Sequence, residues 1–127
     1  MDAQEIKQDI WFKFMANIGI NQIPALLDAD YGFIQKNSYA KKLMENAMLE
    51  VIDIANAKGV HLTESDINKW HTILNSLAPK EKTLMRLDME MLSYKIIELG
   101  SKYNIDVTVN KVLYNLIKAK EDLFSAN

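Results

Sequence analysis

Three residues near the start of the chain can do chemistry together. Lys13, Asn17 and Asn21 follow one another at steps of four. On a helix each such step turns about 40° and climbs about 6 Å, so an ammonium and two amides line one side over roughly 12 Å. Lysine brings a charge and donors; asparagine brings both donors and acceptors. Such a row can hydrogen-bond successive groups of one small polar ligand. It also fits the solvated stripe that surface helices ordinarily carry. Other chemistry is thin. His61 and His71 have no carboxylate at a ligand-like offset, so both are read as loop and surface histidines and no metal is expected. No Gly-x-Gly-x-x-Gly turn is present to cradle phosphates. No Ser has a placed base, and there is no Cys to act as nucleophile, disulfide partner or thiolate ligand.

The elements that must position this row are helical. Apolar residues at Ile10, Phe14 and Ile18, and at Met15, Ile23 and Leu26, repeat with one buried face and predict a first helix over Ala3–Leu27. Pro24 lies inside it and cannot donate to the carbonyl of Ile20, which allows either a plain irregularity or an acceptor left near Asn21 for a ligand. Asp28 to Gly32 is a break, and Phe33 and Ile34 anchor a short return segment. Leu43, Ala47, Val51, Ile54 and Ala55 predict a second helix from Tyr39 to Lys58, capped by Asn37-Ser38 and stopped by Gly59. Glu50, at the edge of that face, is expected in solvent, with a buried, paired carboxylate as the alternative. Thr63 and Asp66 have capping-box spacing and open a third helix with Ile67, Trp70, Ile73, Leu74 and Leu77 inward. A fourth helix is expected from Lys80 to Tyr103, with Leu84, Leu87, Met91, Tyr94 or Lys95, Ile97 and Leu99 inward. Gly100 near its end costs roughly 1 kcal/mol if helical. After an extended link, a fifth helix runs from Asn110 to Phe124, with Val112, Leu113, Leu116, Ile117 and Phe124 inward. The fold expected is an all-α bundle of about five main helices.

Composition narrows the class without naming a function. A chain of 127 residues is one domain and can bury roughly two-thirds of its unfolded surface. The net charge of −2, with both signs interspersed and no basic patch, argues against nucleic acid as a partner. No apolar run approaches the roughly 20 residues of a membrane span, and no signal or transit pattern opens the chain. The absence of Cys is compatible with a cytoplasmic home.

Three stretches together resemble the C-terminal helical domain of the ketopantoate reductase (2-dehydropantoate 2-reductase) family. The first is Trp11-x-Lys13-x-x-x-Asn17-x-x-x-Asn21-x-x-x-Ala25-Leu26. The second is Tyr31-Gly32-x-Ile34, followed by Leu43-Met44, Met48-x-Glu50-Val51 and Ala57-Lys58-Gly59-Val60. The third is Val109-Asn110-x-x-Leu113-Tyr114-x-Leu116-Ile117-Lys118-x-Lys120-Glu121. The resemblance covers nearly the whole chain, and the Trp-Lys-Asn-Asn motif is its specific part. It implies a bundle like the C-terminal domain of 6-phosphogluconate dehydrogenase, serving the reduction of a 2-keto acid by NADPH on the way to pantothenate. Lys13 matches the family's catalytic lysine, and Asn17 and Asn21 match its substrate-binding asparagines.

Two departures from the family matter. The fourth helix is shorter by about ten residues. Asp88 falls near the position of the family's substrate-contacting glutamate and is the best substitute, one methylene shorter, with a solvated carboxylate as the other reading. The dinucleotide-binding half is also absent, so residues 1–127 are expected to be the substrate domain alone, inactive unless a Rossmann half is supplied in cis or trans. Thr108 stands where the family usually has Pro, with no functional reading. Two alternatives stand beside this one. The row suits other small 2-keto or 3-hydroxy acids, and a lone helical domain could be a non-catalytic self-association module. A face deprived of its partner half is expected to drive homo-oligomers.

Overall fold

The structure is a computed structural model describing residues 2–82 and 86–125; the side chains of 86–91 lie outside the described residues. Six helices follow in order: α1 Ala3–Leu27, α2 Tyr31–Lys36, α3 Ser38–Ala57, α4 Glu64–Ser76, α5 Arg86–Tyr103 and α6 Thr108–Ser125. The extra one, α2, is the return segment around Phe33 and Ile34. Its first amides are tied to the loop before α5, with Tyr31 N–H to the Glu81 carbonyl at 2.9 Å and Gly32 N–H to that of Pro79 at 2.7 Å.

The bundle is built around α1, which packs along α3 and against α5 and α6. From Met15 onward α1 is buried on more than one side; Asn21, Gln22, Ile23, Pro24 and Ala25 are buried in succession. A central helix has no single apolar face, and the one-face expectation fails at its other end, where Ile10 is 59% exposed. The helix continues through Pro24 to Leu27. Trp11 does not join the polar row. It packs edge-on to Phe14, with ring centroids 5.4 Å apart, and the Lys58 ammonium lies 5.6 Å over its ring.

The third and second helices of the sequence reading hold to their caps. At α4 the Thr63 N–H donates to Asp66 Oδ2 at 2.9 Å. At the end of α3, Gly59 has φ +84°, its N–H donates to the Asn56 carbonyl and that of Val60 to Ala55, a Schellman stop. Gly100 lies within α5 and Val107 packs on it; a Cβ there would meet Val107 Cγ2 at 2.7 Å, which is why the helix carries glycine at that position. Several expected core positions are exposed instead: Leu43, Tyr94, Val112, Leu116 and Phe124. Ile96, not Ile97, is the buried residue of its pair. Leu84, Leu87 and Met91 lie outside the described residues.

Candidate functional site

Lys13, Asn17 and Asn21 run along α1 from solvent into the interior. Lys13 and Asn17 are exposed, while Asn21 is 4% exposed. The Lys13 ammonium is held one turn back by Asp9, with Nζ 3.1 Å from Oδ2. Asp9 was legible as the i−4 partner of Lys13 but carries no weight in the sequence reading. The row is thus one open wall, wet at its cationic end and buried at its amide end. Asp88 lies on α5, and its side chain is outside the described residues.

Behind the row sits a polar network that the sequence reading did not anticipate. Gln22, next to Asn21, is fully buried. Its Nε2 donates to Asn110 Oδ1 at 2.9 Å and to the Ile18 carbonyl at 3.4 Å, and its Oε1 accepts from Ser93 Oγ at 3.1 Å. Asn110 Nδ2 donates to the Ala47 carbonyl at 3.1 Å and to Glu50 Oε1 at 2.8 Å. Glu50 also accepts the N–H groups of Val109 and Asn110, at 3.0 and 2.9 Å. The expectation of a solvated Glu50 is therefore corrected. It is half-buried, because the first turn of α6 needs an acceptor for its orphan amides and carries the positive end of the helix dipole. The network joins α1, α3, α5 and α6. The local signal was a pair of adjacent amides, Asn21 and Gln22, inside the otherwise apolar run Ile18 to Leu26.

Other charged groups hold helix ends. Lys120 Nζ donates to the carbonyls of Ala25 and Leu26 at 2.7 and 2.9 Å, closing the C-terminus of α1. Asp106 accepts from the hydroxyl and the N–H of Thr108 at the start of α6, and these bonds, the hydroxyl's first, hold its carboxyl below the ordinary value of 3.8. His71 bridges α4 to α3 through Nε2 and Glu45 Oε1 at 2.7 Å. Among the described residues no three of His, Cys, Asp and Glu lie close enough to share a metal ion. None of their helices is long and apolar enough to cross a membrane.

The glycines, where a dinucleotide cradle would be sought, are taken up by packing or by a helix end. The chain has four. Gly19 is packed under Met48 and Trp70, Gly32 against Pro79, and Gly100 against Val107; Gly59 serves the end of α3. None is left to bring backbone amides against a pyrophosphate.

An all-helical domain with a lysine–diamide row on its central helix is the class these features define. Residues 5–121 match the family described as Ketopantoate reductase PanE/ApbA C terminal. The chain belongs to that family and corresponds to its C-terminal domain. Among curated relatives, a 2-dehydropantoate 2-reductase of Pyrobaculum aerophilum is 29% identical over 128 residues, covering 95% of this chain and 46% of the relative. One of Halobacterium salinarum is 27% identical, covering 86% of this chain and 38% of its own. The chain spans less than half the length of these relatives. Among solved structures, a dimeric ketopantoate reductase of Staphylococcus aureus superposes with a TM-score of 0.81 at 24% identity, over 94% of this chain and 44% of that one. A D-mandelate dehydrogenase bound to NADH gives 0.82 at 20% identity, over 93% and 41%. At such identities these likenesses establish the fold.

Proposed function

We propose that this domain supplies the keto-acid side of the cleft in a 2-dehydropantoate 2-reductase-like oxidoreductase, which converts ketopantoate to pantoate in the cytoplasm. The observation that carries the reading is the placement of Lys13 and Asn17 exposed on one face of α1, with Asn21 at the inner end of the same row. The Lys13 ammonium hydrogen-bonds the ketone oxygen and gives it a proton as it becomes an alkoxide. Asn17 and Asn21 hold the carboxylate or hydroxyl of the substrate, each with a donor and an acceptor. Asp88 is the candidate third contact from α5. The hydride comes from NADPH bound by a dinucleotide-binding half, supplied in cis or trans. The domain alone is then inactive, and the working enzyme is a homo-oligomer, as the name of the Staphylococcus aureus relative describes that protein.

The test is kinetic, on the domain joined to a dinucleotide-binding half. Lys13→Ala is expected to lower kcat for ketopantoate by about two to four orders of magnitude, the scale of general acid catalysis. A change smaller than threefold would remove Lys13 from the mechanism. A second reading, in which the substrate is another small 2-keto or 3-hydroxy acid, is favoured by the altered fourth helix of the sequence, where Asp88 would stand in for the family's glutamate. It predicts the same loss at Lys13 with a different best substrate.

A further inference from the structure

The ammonium of Lys13 is already paired, and the pair has a direction along α1. Asp9 Oδ2 lies 3.1 Å from Lys13 Nζ, one turn toward the helix N-terminus, while Asn17 follows one turn toward the C-terminus. Side chains on a helix lean toward its N-terminus, so an aspartate four residues before a lysine is well placed to receive the ammonium. This part of α1 is pinned: Gln8 Nε2 donates to the His61 carbonyl at 3.1 Å, and the Lys58 ammonium lies over the Trp11 ring. The other charges near Asp9 are engaged elsewhere. Glu5 Oε2 accepts the Asp2 N–H at 3.2 Å. Lys69 of α4, which shares a hollow with Glu5, Gln8 and Asp9, has its Nζ 3.6 Å from Asp66 Oδ1.

An exposed ion pair of this kind does little for stability. Its effect on an arriving anion is larger. A bare ammonium would attract the carboxylate of a 2-keto acid more strongly than the ketone, because only the carboxylate carries charge. A substrate held that way presents the wrong group to the acid. With Asp9 beside it, Lys13 keeps its N–H donors but offers little net charge. The ketone oxygen still accepts from it. A carboxylate drawn to Lys13 meets the like charge of Asp9 instead. The amides on the C-terminal side of Lys13 are neutral donors and set up no such conflict.

We infer that Asp9 is a specificity-determining residue of the row: it cancels the charge of Lys13, so that the ammonium takes the ketone oxygen of a 2-keto acid and the acid's carboxylate is turned away toward Asn17. This role rests on the proposed reductase and deepens it, since Asp9 assigns the carboxylate, and not the hydroxyl, to the amides. Asp9 sits on the N-terminal side of the ammonium and Asn17 on the other, so the substrate lies along α1 in one direction only.

The test compares the chain with Asp9→Asn and Asp9→Glu, each checked for helical circular dichroism. The probe is isobutyrate, a carboxylate without a ketone, titrated at low salt while the Lys13 side-chain protons are followed by nuclear magnetic resonance. Asp9→Asn should bind it about fivefold more tightly than the unsubstituted chain, the weight of one unit charge about 4 Å away in water. Asp9→Glu keeps the charge and should bind it as the unsubstituted chain does. In the domain joined to a dinucleotide-binding half, kcat and KM for ketopantoate should fall together severalfold in Asp9→Asn, with kcat/KM nearly kept, because part of the bound keto acid then rests its carboxylate on Lys13. Ketopantoate methyl ester, which has no carboxylate, should show no such fall. Equal isobutyrate affinity in the folded Asp9→Asn and unsubstituted chains overturns the role of Asp9. So does a loss of kcat as large with the ester as with the acid, which would make Asp9 a clamp on the ammonium and nothing more. An undiminished kcat in Lys13→Ala sinks the reductase reading instead, and the isobutyrate titration, which needs no turnover, is independent of it.

Discussion

At the scale of residues, the feature that most constrains this domain is the order in which its buried amides point. Glu50 accepts only, so Asn110 must turn its Nδ2 toward it. Asn110 Oδ1 then faces Gln22 and must receive Nε2, which leaves Gln22 Oε1 for the Ser93 hydroxyl. One carboxylate orients two amides and a hydroxyl across four helices. Asn110→Ala should leave Gln22 Nε2, the Ala47 carbonyl and part of Glu50 short of partners, and should destabilise the domain by about 3 kcal/mol. The melting temperature should fall by about 10 °C. A loss under 1 kcal/mol in urea unfolding would mean that water replaces the amide. None of this was legible in the chain alone. Glu50, Gln22, Ser93 and Asn110 are far apart in sequence, and nothing in the periodicity of any one helix says that their polar groups meet. The row on α1 was legible, because i,i+4 spacing is local; its burial gradient was not, because that depends on which helices surround α1.

At the scale of elements, the sequence reading placed helix ends better than helix faces. Three helices end in the same hydrogen-bond pattern. At α1 the N–H groups of Asp28 and Ala29 reach Ala25 and Pro24; at α3 those of Gly59 and Val60 reach Asn56 and Ala55; at α5 those of Asn104 and Ile105 reach Ser101 and Gly100. The left-handed residue is Asp28, Gly59 and Asn104 in turn, with φ of 53°, 84° and 57°. Only Gly59 was read as a stop, because glycine announces the conformation and Asp or Asn only permits it. The pattern sets a prediction. Asn104→Gly should stabilise by roughly 0.5–1 kcal/mol, and Asn104→Ala should destabilise by about as much. Chemical denaturation of the pair would decide it, and equal stabilities would mean that the α5 end is set by Val107 packing on Gly100. Faces were misread for a different reason. Ile10, Val112 and Leu116 repeat with helical period, as core residues do, but period alone cannot tell a face that meets this domain's core from one that meets another body.

At the scale of the whole molecule, α1 is both the axle of the core and the carrier of the row. Its C-terminal half is locked between α3, α5 and α6, and its N-terminal half stands out with Ile6 and Ile10 exposed at 46% and 59%. Ile6 and Ile10 lie within about 60° of Lys13 around α1, so the ammonium is bordered by apolar surface on the side that faces outward. An apolar border around the Lys13–Asp9 pair suits a surface that another domain closes, since closing it removes water from both. If the dinucleotide-binding half docks there, Ile10→Asp should weaken its association with this domain by at least about tenfold, because a carboxylate would be buried without a partner. Titration calorimetry against a separately expressed dinucleotide-binding half measures that contact, with circular dichroism of the variant to show that it folds. Undiminished binding of that half would place its docking surface elsewhere on the domain, and with it the wall that completes the cleft.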